Sequence, residues 1–435
     1  DGAKSVDLFV TSPDHAVSIE PFTVERIEVI RGPRVLTQSS STAGGIVNII
    51  RNDIPPLPSG GISGLAGISF ESVNNSYLGA TAVEVPFYQF AVRGEYSYRE
   101  AGDLRTPGST LKNSSIETSN RAIGFSYLFN RGFVGISLRE FGSDYGVPGG
   151  FVGAHPFGVD ISMFRRQISL KSQIPLSAGR SEWLSLQFNR DYYRHQEFEF
   201  GGTLGAEFSV YNYNGKVEAT LSDKFGFDRI ITGAEGTYKD FLIGGFVFTA
   251  PTKSYSGSAY SFFQSSFGDW NLEAGVRLQS DHLRPTRRNQ SARDRFIKEK
   301  DYTTLSGALS ILYSVNEHTG IGLSLGRSTR TPSIEELYSE GPHLAAYSYE
   351  TGNPELGYER GWTAEIFGFY KNEEVFLLLT GFRNDFGYFI SPRNTGRINF
   401  ATLLPVYEAQ GEAAIFHGFE AKAEISLWYG FSIES

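Results

Sequence analysis

The sequence predicts an all-β membrane protein, a transmembrane antiparallel β-barrel preceded by a small N-terminal domain of different character. Three observations carry that prediction. Segments of about ten residues with alternating polarity recur from residue 61 onward, which is the period of a strand with one apolar and one polar face. The connections alternate between short turns and long polar loops, the asymmetry of a barrel whose two ends face different compartments. Finally, the 435 residues are 14% aromatic, with 35 Phe and 23 Tyr, yet the mean hydropathy is only -0.23. Apolar residues outside, polar ones inside and aromatic girdles at both interfaces produce that combination.

Composition excludes several alternatives. No run approaches the roughly 18 to 20 apolar residues of a membrane-spanning helix; the best, Val375 to Leu379, is far shorter. Cysteine is absent and there is one methionine, so disulfide scaffolds, Cys-ligated zinc, iron–sulfur clusters and thiol catalysis are excluded. With 39 basic and 48 acidic residues, a net charge of -9 and no Lys/Arg cluster, the chain is not a nucleic-acid binder. It starts at Asp1 without a signal-peptide profile, and further N-terminal sequence is expected.

Residues 1–56 form the first unit: Phe22 to Arg51 mixes short apolar runs with Gly-rich turns, and Pro55, Pro56 and Pro58 make a stiff break. The barrel occupies 61–435. Ile123, Phe125, Tyr127 and Phe129 alternate with Gly124, Ser126 and Leu128, and Leu184, Leu186 and Phe188 alternate with Ser185, Gln187 and Asn189. Ile321, Leu323 and Leu325 repeat the pattern, as do Ala421, Ala423, Ile425 and Leu427. Short turns are expected at 86–88, 130–132, 222–226, 268–269, 316–319 and 371–373. Long loops are expected at 101–114, 141–161, 196–207, 283–300, 331–360 and 391–412. About sixteen strands fit before Ser435, and because an open edge is not tolerated in hydrocarbon, more strands are expected beyond it. A propeller would show a blade repeat of about 40 residues, and none is visible.

One segment names a class. Val24 to Asn52 reads VERIEVIRGPRVLTQSSSTAGGIVNIIRN and resembles the C-terminal half of the plug domain of TonB-dependent outer-membrane receptors. Arg26 to Pro33 and Gly44 to Ile50 carry the resemblance, including Gly32, Pro33, Gly44 and Gly45; Thr37, Gln38 and Ser39 stand where the family usually has Leu-Tyr-Gly. Arg330 to Glu359 resembles a long receptor loop of the family, with a short helix capped by Thr331, Pro332 at its first position and Gly341 past its end. His417 to Leu427 resembles a later family strand.

The resemblance implies a barrel of about 22 strands, of which about sixteen are covered, with half a plug. It also implies active uptake of a scarce nutrient across the outer membrane of a Gram-negative bacterium, by a monomer set in lipid and lipopolysaccharide. TonB and its inner-membrane energising complex would be the partners, contacted by a segment N-terminal to Asp1. No cofactor and no covalent chemistry are implied, the ligand being a small metal ion or metal chelate. Ionic contacts between plug and wall would join Arg26 or Arg31 to Glu359 and Glu420.

The YYRHQEFE stretch, Tyr192 to Glu199, carries the ligand chemistry. If Leu184, Leu186 and Phe188 face lipid, then Asp191, His195, Glu197 and Glu199 face the lumen near the extracellular mouth. Same-face neighbours lie roughly 6.5 to 7 Å apart, so an imidazole and a carboxylate two residues apart can meet on one ion, and nitrogen with oxygen suits zinc. With the YGVPG and GPH loops this resembles the zinc-uptake branch of the family, although the chain has only seven histidines. His155 and His343 are the other loop candidates.

Other cargoes stay open. Haem favours a His pair between plug and barrel, for which His15 is the one plug candidate. Ferric siderophores favour arginines and aromatics, and Arg284, Arg287, Arg288, Arg293 and Arg295 share a loop that equally reads as a solvated loop or a lipopolysaccharide-contacting rim. Cobalamin is a further possibility. Outside the class stand a passive porin, which has no plug, and an outer-membrane hydrolase, which needs a nucleophile set at the mouth.

Overall fold

A computed structural model describes residues 5–6, 15–57, 60–149, 156–177, 181–245, 249–286, 297–343, 347–426 and 432–434. In the N-terminal part, β1 (Arg26–Ile30) and β2 (Ile46–Ile50) pair antiparallel, with Arg26 opposite Ile50. A 3₁₀ turn, Gly32–Thr37, lies between them and buries Pro33, Val35, Leu36 and Thr37. Gly32, Gly44 and Gly45 have φ of +70°, +75° and +85°, the left-handed region that glycine enters without a Cβ penalty.

The wall starts with β3 (Ser63–Glu71), β4 (Ser76–Phe87) and β5 (Phe90–Ala101), followed by a loop hairpin of β6 (Leu104–Arg105) and β7 (Thr110–Leu111). It continues through β8 (Ile116–Phe129), β9 (Gly132–Val147), β10 (Val159–Pro175), β11 (Trp183–Phe198), β12 (Leu204–Lys224) and β13 (Phe227–Gly245). Next come β14 (Thr252–Phe267), β15 (Trp270–Pro285), β16 (Lys300–Ser314) and β17 (Thr319–Arg330). An excursion then holds α1 (Ile334–Tyr338), β18 (Glu340–His343) and β19 (Ser348–Thr351). The wall resumes with β20 (Glu359–Lys371), β21 (Val375–Ile398), β22 (Pro405–Ser426) and β23 (Ser432–Glu434). Each wall strand pairs antiparallel with the next, and β17 pairs with β20 across the excursion.

Several expected loops are partly strand. The 391–412 stretch is crossed by β21 up to Ile398 and by β22 from Pro405, and β9 runs on to Val147 inside the expected 141–161 loop. A hairpin that extends past the apolar band can be wet on both faces, so polarity stops alternating while backbone pairing continues; Arg393 and Glu412 form an ion pair in that region. The helix in the 331–360 loop is capped by Ser333 rather than Thr331. Ser333 Oγ accepts from the Glu336 N–H while the Glu336 side chain accepts from the Ser333 N–H, a reciprocal box that satisfies two end groups at once.

The two faces of the wall differ as the alternation requires. On β11, Leu186 and Phe188 are exposed outward, while Asn189, Asp191, Tyr193 and His195 on the other parity are buried inward. Outward tyrosines form a belt toward one end: Tyr192 with Tyr211 at 4.9 Å and Tyr238 with Tyr255 at 5.1 Å between ring centroids. Trp270 and Tyr313, 4.7 Å apart, stand near the opposite end.

The N-terminal part packs against the inward faces of the wall. Arg277, buried on β15, donates from Nη1 to the Leu36 carbonyl at 3.3 Å and from Nη2 to Glu235 at 2.8 Å. Wall glycines make room for it: a Cβ at Gly275 would stand 2.5 Å from the Pro33 carbonyl oxygen, and one at Gly124 only 1.6 Å from that of Asp53. Side chains are missing from the wall where the inner backbone passes closest.

Candidate metal centre

β11 continues beyond the Tyr192 belt to one end of the wall, where its inward parity presents Tyr193, His195 and Glu197. The N-terminal segment meets it there. The Ala16 N–H donates to the Tyr145 hydroxyl at 2.9 Å, and Arg165 Nη1 donates to Ser18 Oγ at 3.1 Å. With Ala16 and Ser18 held in this way, His15 reaches Glu197 on the wall, 182 positions away in sequence.

His15 Nε2 lies 3.2 Å from Glu197 Oε1, and His195 Nε2 lies 3.3 Å from the same oxygen. The imidazole rings are 4.3 Å apart between centroids. All three donor atoms fall within 4.8 Å of one another. Two donors bound tetrahedrally to one ion at roughly 2.0 Å stand about 3.3 Å apart, so these spacings need little change to chelate. The His15 and His195 side chains are nearly inaccessible, whereas Glu197 keeps 26% exposure, which leaves a solvent-side position for a cargo to enter.

Tyr193 Oη is 3.3 Å from His195 Nδ1. With Nδ1 carrying the proton and donating to the phenol oxygen, the Nε2 lone pair is directed at Glu197, the outer contact that orients a ligating imidazole. Phe208 packs 6.1 Å from the His15 ring and 5.8 Å from that of His195. Met163, opposite His195 in register, is buried with Phe208 and Tyr193 in an apolar cluster to which α1 adds Ile334, Leu337 and Tyr338. A dry surround of this kind strengthens any electrostatic contact inside it.

The remaining candidates are placed otherwise. Asp191 does not join the cluster, because its carboxylate accepts from Arg165 Nε at 3.2 Å and Nη2 at 2.7 Å; burial without that guanidinium would be costly. Glu199 lies past the strand end, its backbone closing a turn with Thr203 and Gly202 and its side chain against Gly205. His155, Arg287, Arg288, Arg293 and Arg295 lie outside the described residues, and so does the side chain of His343. Arg284 pairs with Glu299 at 3.2 Å.

Of the expected ionic contacts between the N-terminal part and the wall, Arg31 Nη1 donates to Glu420 at 2.7 Å. Arg26 does not cross: it pairs with Glu25 and Glu28 beside it, since β1 turns its side chain along the strand surface. Glu359 belongs to Arg330, whose Nη2 and Nε donate to it at 2.7 Å and which also holds Glu336. A nearer guanidinium on the adjoining wall strand takes this carboxylate. The closest-knit contact is one the sequence did not single out, Asp53 with Arg139.

Residues 58–434 match the family described as "TonB dependent receptor-like, beta-barrel". Among solved structures, the copper transporter OprC superposes with a TM-score of 0.83 at 15% identity, over 100% of this chain and 69% of that one. The siderophore receptor PirA from Pseudomonas aeruginosa gives 0.71 at 17% identity, over 96% and 73%. A hemophore receptor of Serratia marcescens, HasR, solved with its hemophore and heme, gives 0.77 at 12%, over 98% and 70%. At these identities the superpositions speak for the fold alone, and the match across the barrel speaks for the lineage: the chain belongs to the TonB-dependent receptor family.

Proposed function

We propose that this receptor takes up a divalent transition-metal ion, captured directly by His15, His195 and Glu197, across the outer membrane in which barrels of its family sit. One observation carries this reading: two imidazoles and a carboxylate, one on the N-terminal segment and two on the wall, converge on a single point inside an apolar surround. Nitrogen, nitrogen and oxygen suit zinc or copper(II). Three protein donors with one open side also suit a cargo, which must leave as well as enter.

In this reading residues 1–56 act as part of the plug, and TonB, drawing on the inner-membrane complex, displaces it to open a path. The protein binds and releases without covalent chemistry. Haem fits the geometry less well. A porphyrin iron held by two imidazoles needs the rings on opposite faces of its plane, whereas here both nitrogens are aimed at one carboxylate oxygen.

Calorimetry on the full chain in detergent tests the proposal, with Zn²⁺ and Cu²⁺ beside a ferric siderophore, haem and cobalamin. Micromolar or tighter binding of one metal ion, weakened at least tenfold or about 1.4 kcal/mol in His195→Ala and in Glu197→Ala, is the expected result. Metal silence together with a siderophore signal would retire the site.

A further inference from the structure

The seam between the N-terminal part and the wall encloses a second polar site. A cavity of about 130 Å³ lies between the end of β2, with the residues that follow it to Ile54, and the inward faces of β9, β10 and β11. Arg51 and Asp53 line it from the N-terminal part, and Arg165, Ser169, Lys171 and Asn189 line it from the wall. At about 30 Å³ for each water molecule, it has room for a small ion with part of its hydration.

Hydrogen-bond donors dominate the lining. Asn189 is 1% exposed. Its Oδ1 accepts from Ser169 Oγ at 2.8 Å, and its Nδ2 meets no acceptor among the described residues. A buried N–H of this kind is costly to leave unmatched, so the amide is set to donate into the cavity. Asp53 is the one carboxylate in the lining, and Arg139 engages both of its oxygens. Arg165 is engaged by Asp191 and Ser18.

Charge points the same way. Around the cavity, Arg51, Arg139, Arg165 and Lys171 are set against Asp53, Glu95 and Asp191, so among these described residues four cations face three carboxylates. The Arg51 guanidinium senses the excess: burial first, and then the charge of Arg139, pull it down to about 10 against the opposing influence of Asp53. Buried charge of one sign calls for a counter-charge.

We propose that this cavity binds a monovalent inorganic anion such as chloride, held by Arg51, Lys171 and the Asn189 amide as a bridge between the N-terminal segment and the wall. The site is independent of the cargo reading. Charge-assisted bonds from a guanidinium and an ammonium are strong, and a single excess charge matches a monovalent ion, which a dianion would overshoot. Arg51 stands on one side of the seam and Lys171 with Asn189 on the other. The ion therefore binds the docked segment alone and stabilises it by mass action.

Bromide, standing in for chloride, provides the test. Crystals of the full chain soaked in bromide should give an anomalous peak in this cavity at the bromine edge. In detergent solution, proteolysis near residue 53 should be roughly tenfold slower in saturating chloride than in gluconate of matched ionic strength. Asn189→Asp supplies a fixed carboxylate in place of the ion, so cleavage should become slow in both salts. Lys171→Met should weaken the chloride effect. If both variants fail to fold, the bromide peak and the salt comparison on the unaltered chain decide. Equal cleavage in the two salts, no bromine signal in the cavity, or an undiminished chloride effect in folded Asn189→Asp would each overturn the site.

Discussion

Asp53 and Arg139 are joined by a two-pronged ion pair that fastens the N-terminal segment to the wall 86 positions away. Arg139 Nε donates to Asp53 Oδ2 at 2.9 Å and Nη2 donates to Oδ1. Glu95 and Asn120 accept from the remaining nitrogen of the same guanidinium. Burial pushes the Asp53 carboxyl up, but the charge and hydrogen bonds of Arg139 outweigh it and hold it below the usual carboxylate value. A carboxyl depressed in the folded state stabilises fully above its ordinary value of about 3.9 and loses that contribution as pH falls through the lower one. Protease resistance of the segment should therefore be flat from neutral pH down to about 5 and decline below about 4. Asp53→Ala should cost about 2 kcal/mol at neutral pH and flatten that acid decline; an undiminished decline would assign it to other carboxylates.

Two ion pairs of the N-terminal part and wall should behave differently on mutation. Arg31 and Glu420 are 43% and 50% exposed, so Glu420→Gln should change stability by less than about 1 kcal/mol. Arg277 and Glu235 are 1% and 6% exposed. Glu235→Ala strands a buried guanidinium and should cost about 3 to 5 kcal/mol. Denaturation of both variants in one detergent decides the contrast, and similar losses would contradict it.

Tyr193→Phe removes the phenol oxygen that orients His195 without touching the donor set. Loss of such an outer contact lowers metal affinity by about 10- to 100-fold. Calorimetry should show that loss with an unchanged melting profile. Full affinity would mean that packing alone orients the ring.

Gly124→Ala places a methyl where the Asp53 carbonyl already stands, and the wall strand cannot yield without losing its ladder. The N-terminal segment should shift instead, giving faster proteolysis near residue 53 and a higher single-channel conductance in planar bilayers. Unchanged values for both would show that the segment rides farther from the wall.

Much of the wall was legible because parity is a local property. Leu184, Leu186 and Phe188 against Asp191 and His195 need only neighbouring residues to reveal two faces. The proposed metal cluster was half legible for the same reason, since His195 and Glu197 are two apart on one face. His15 was not, because nothing local in the sequence says which of seven histidines the fold will carry to β11; the one hint was its standing as the only N-terminal histidine. Asp191 looked equivalent to Glu197 by parity, and only the cross-strand register that sets it beside Arg165 separates them. Loop lengths failed where β21 and β22 leave the membrane, since a strand wet on both faces has no alternation to read.

The three donors are divided between two bodies, His15 on the segment and His195 with Glu197 on the wall. An ion held by all three is therefore also an adhesive. Whatever free energy it draws from His15 is added to the attachment of the segment, and the reverse holds by thermodynamic reciprocity. A displacement of the segment by a few ångströms removes one donor of three, so cargo affinity and resistance to pulling rise and fall together.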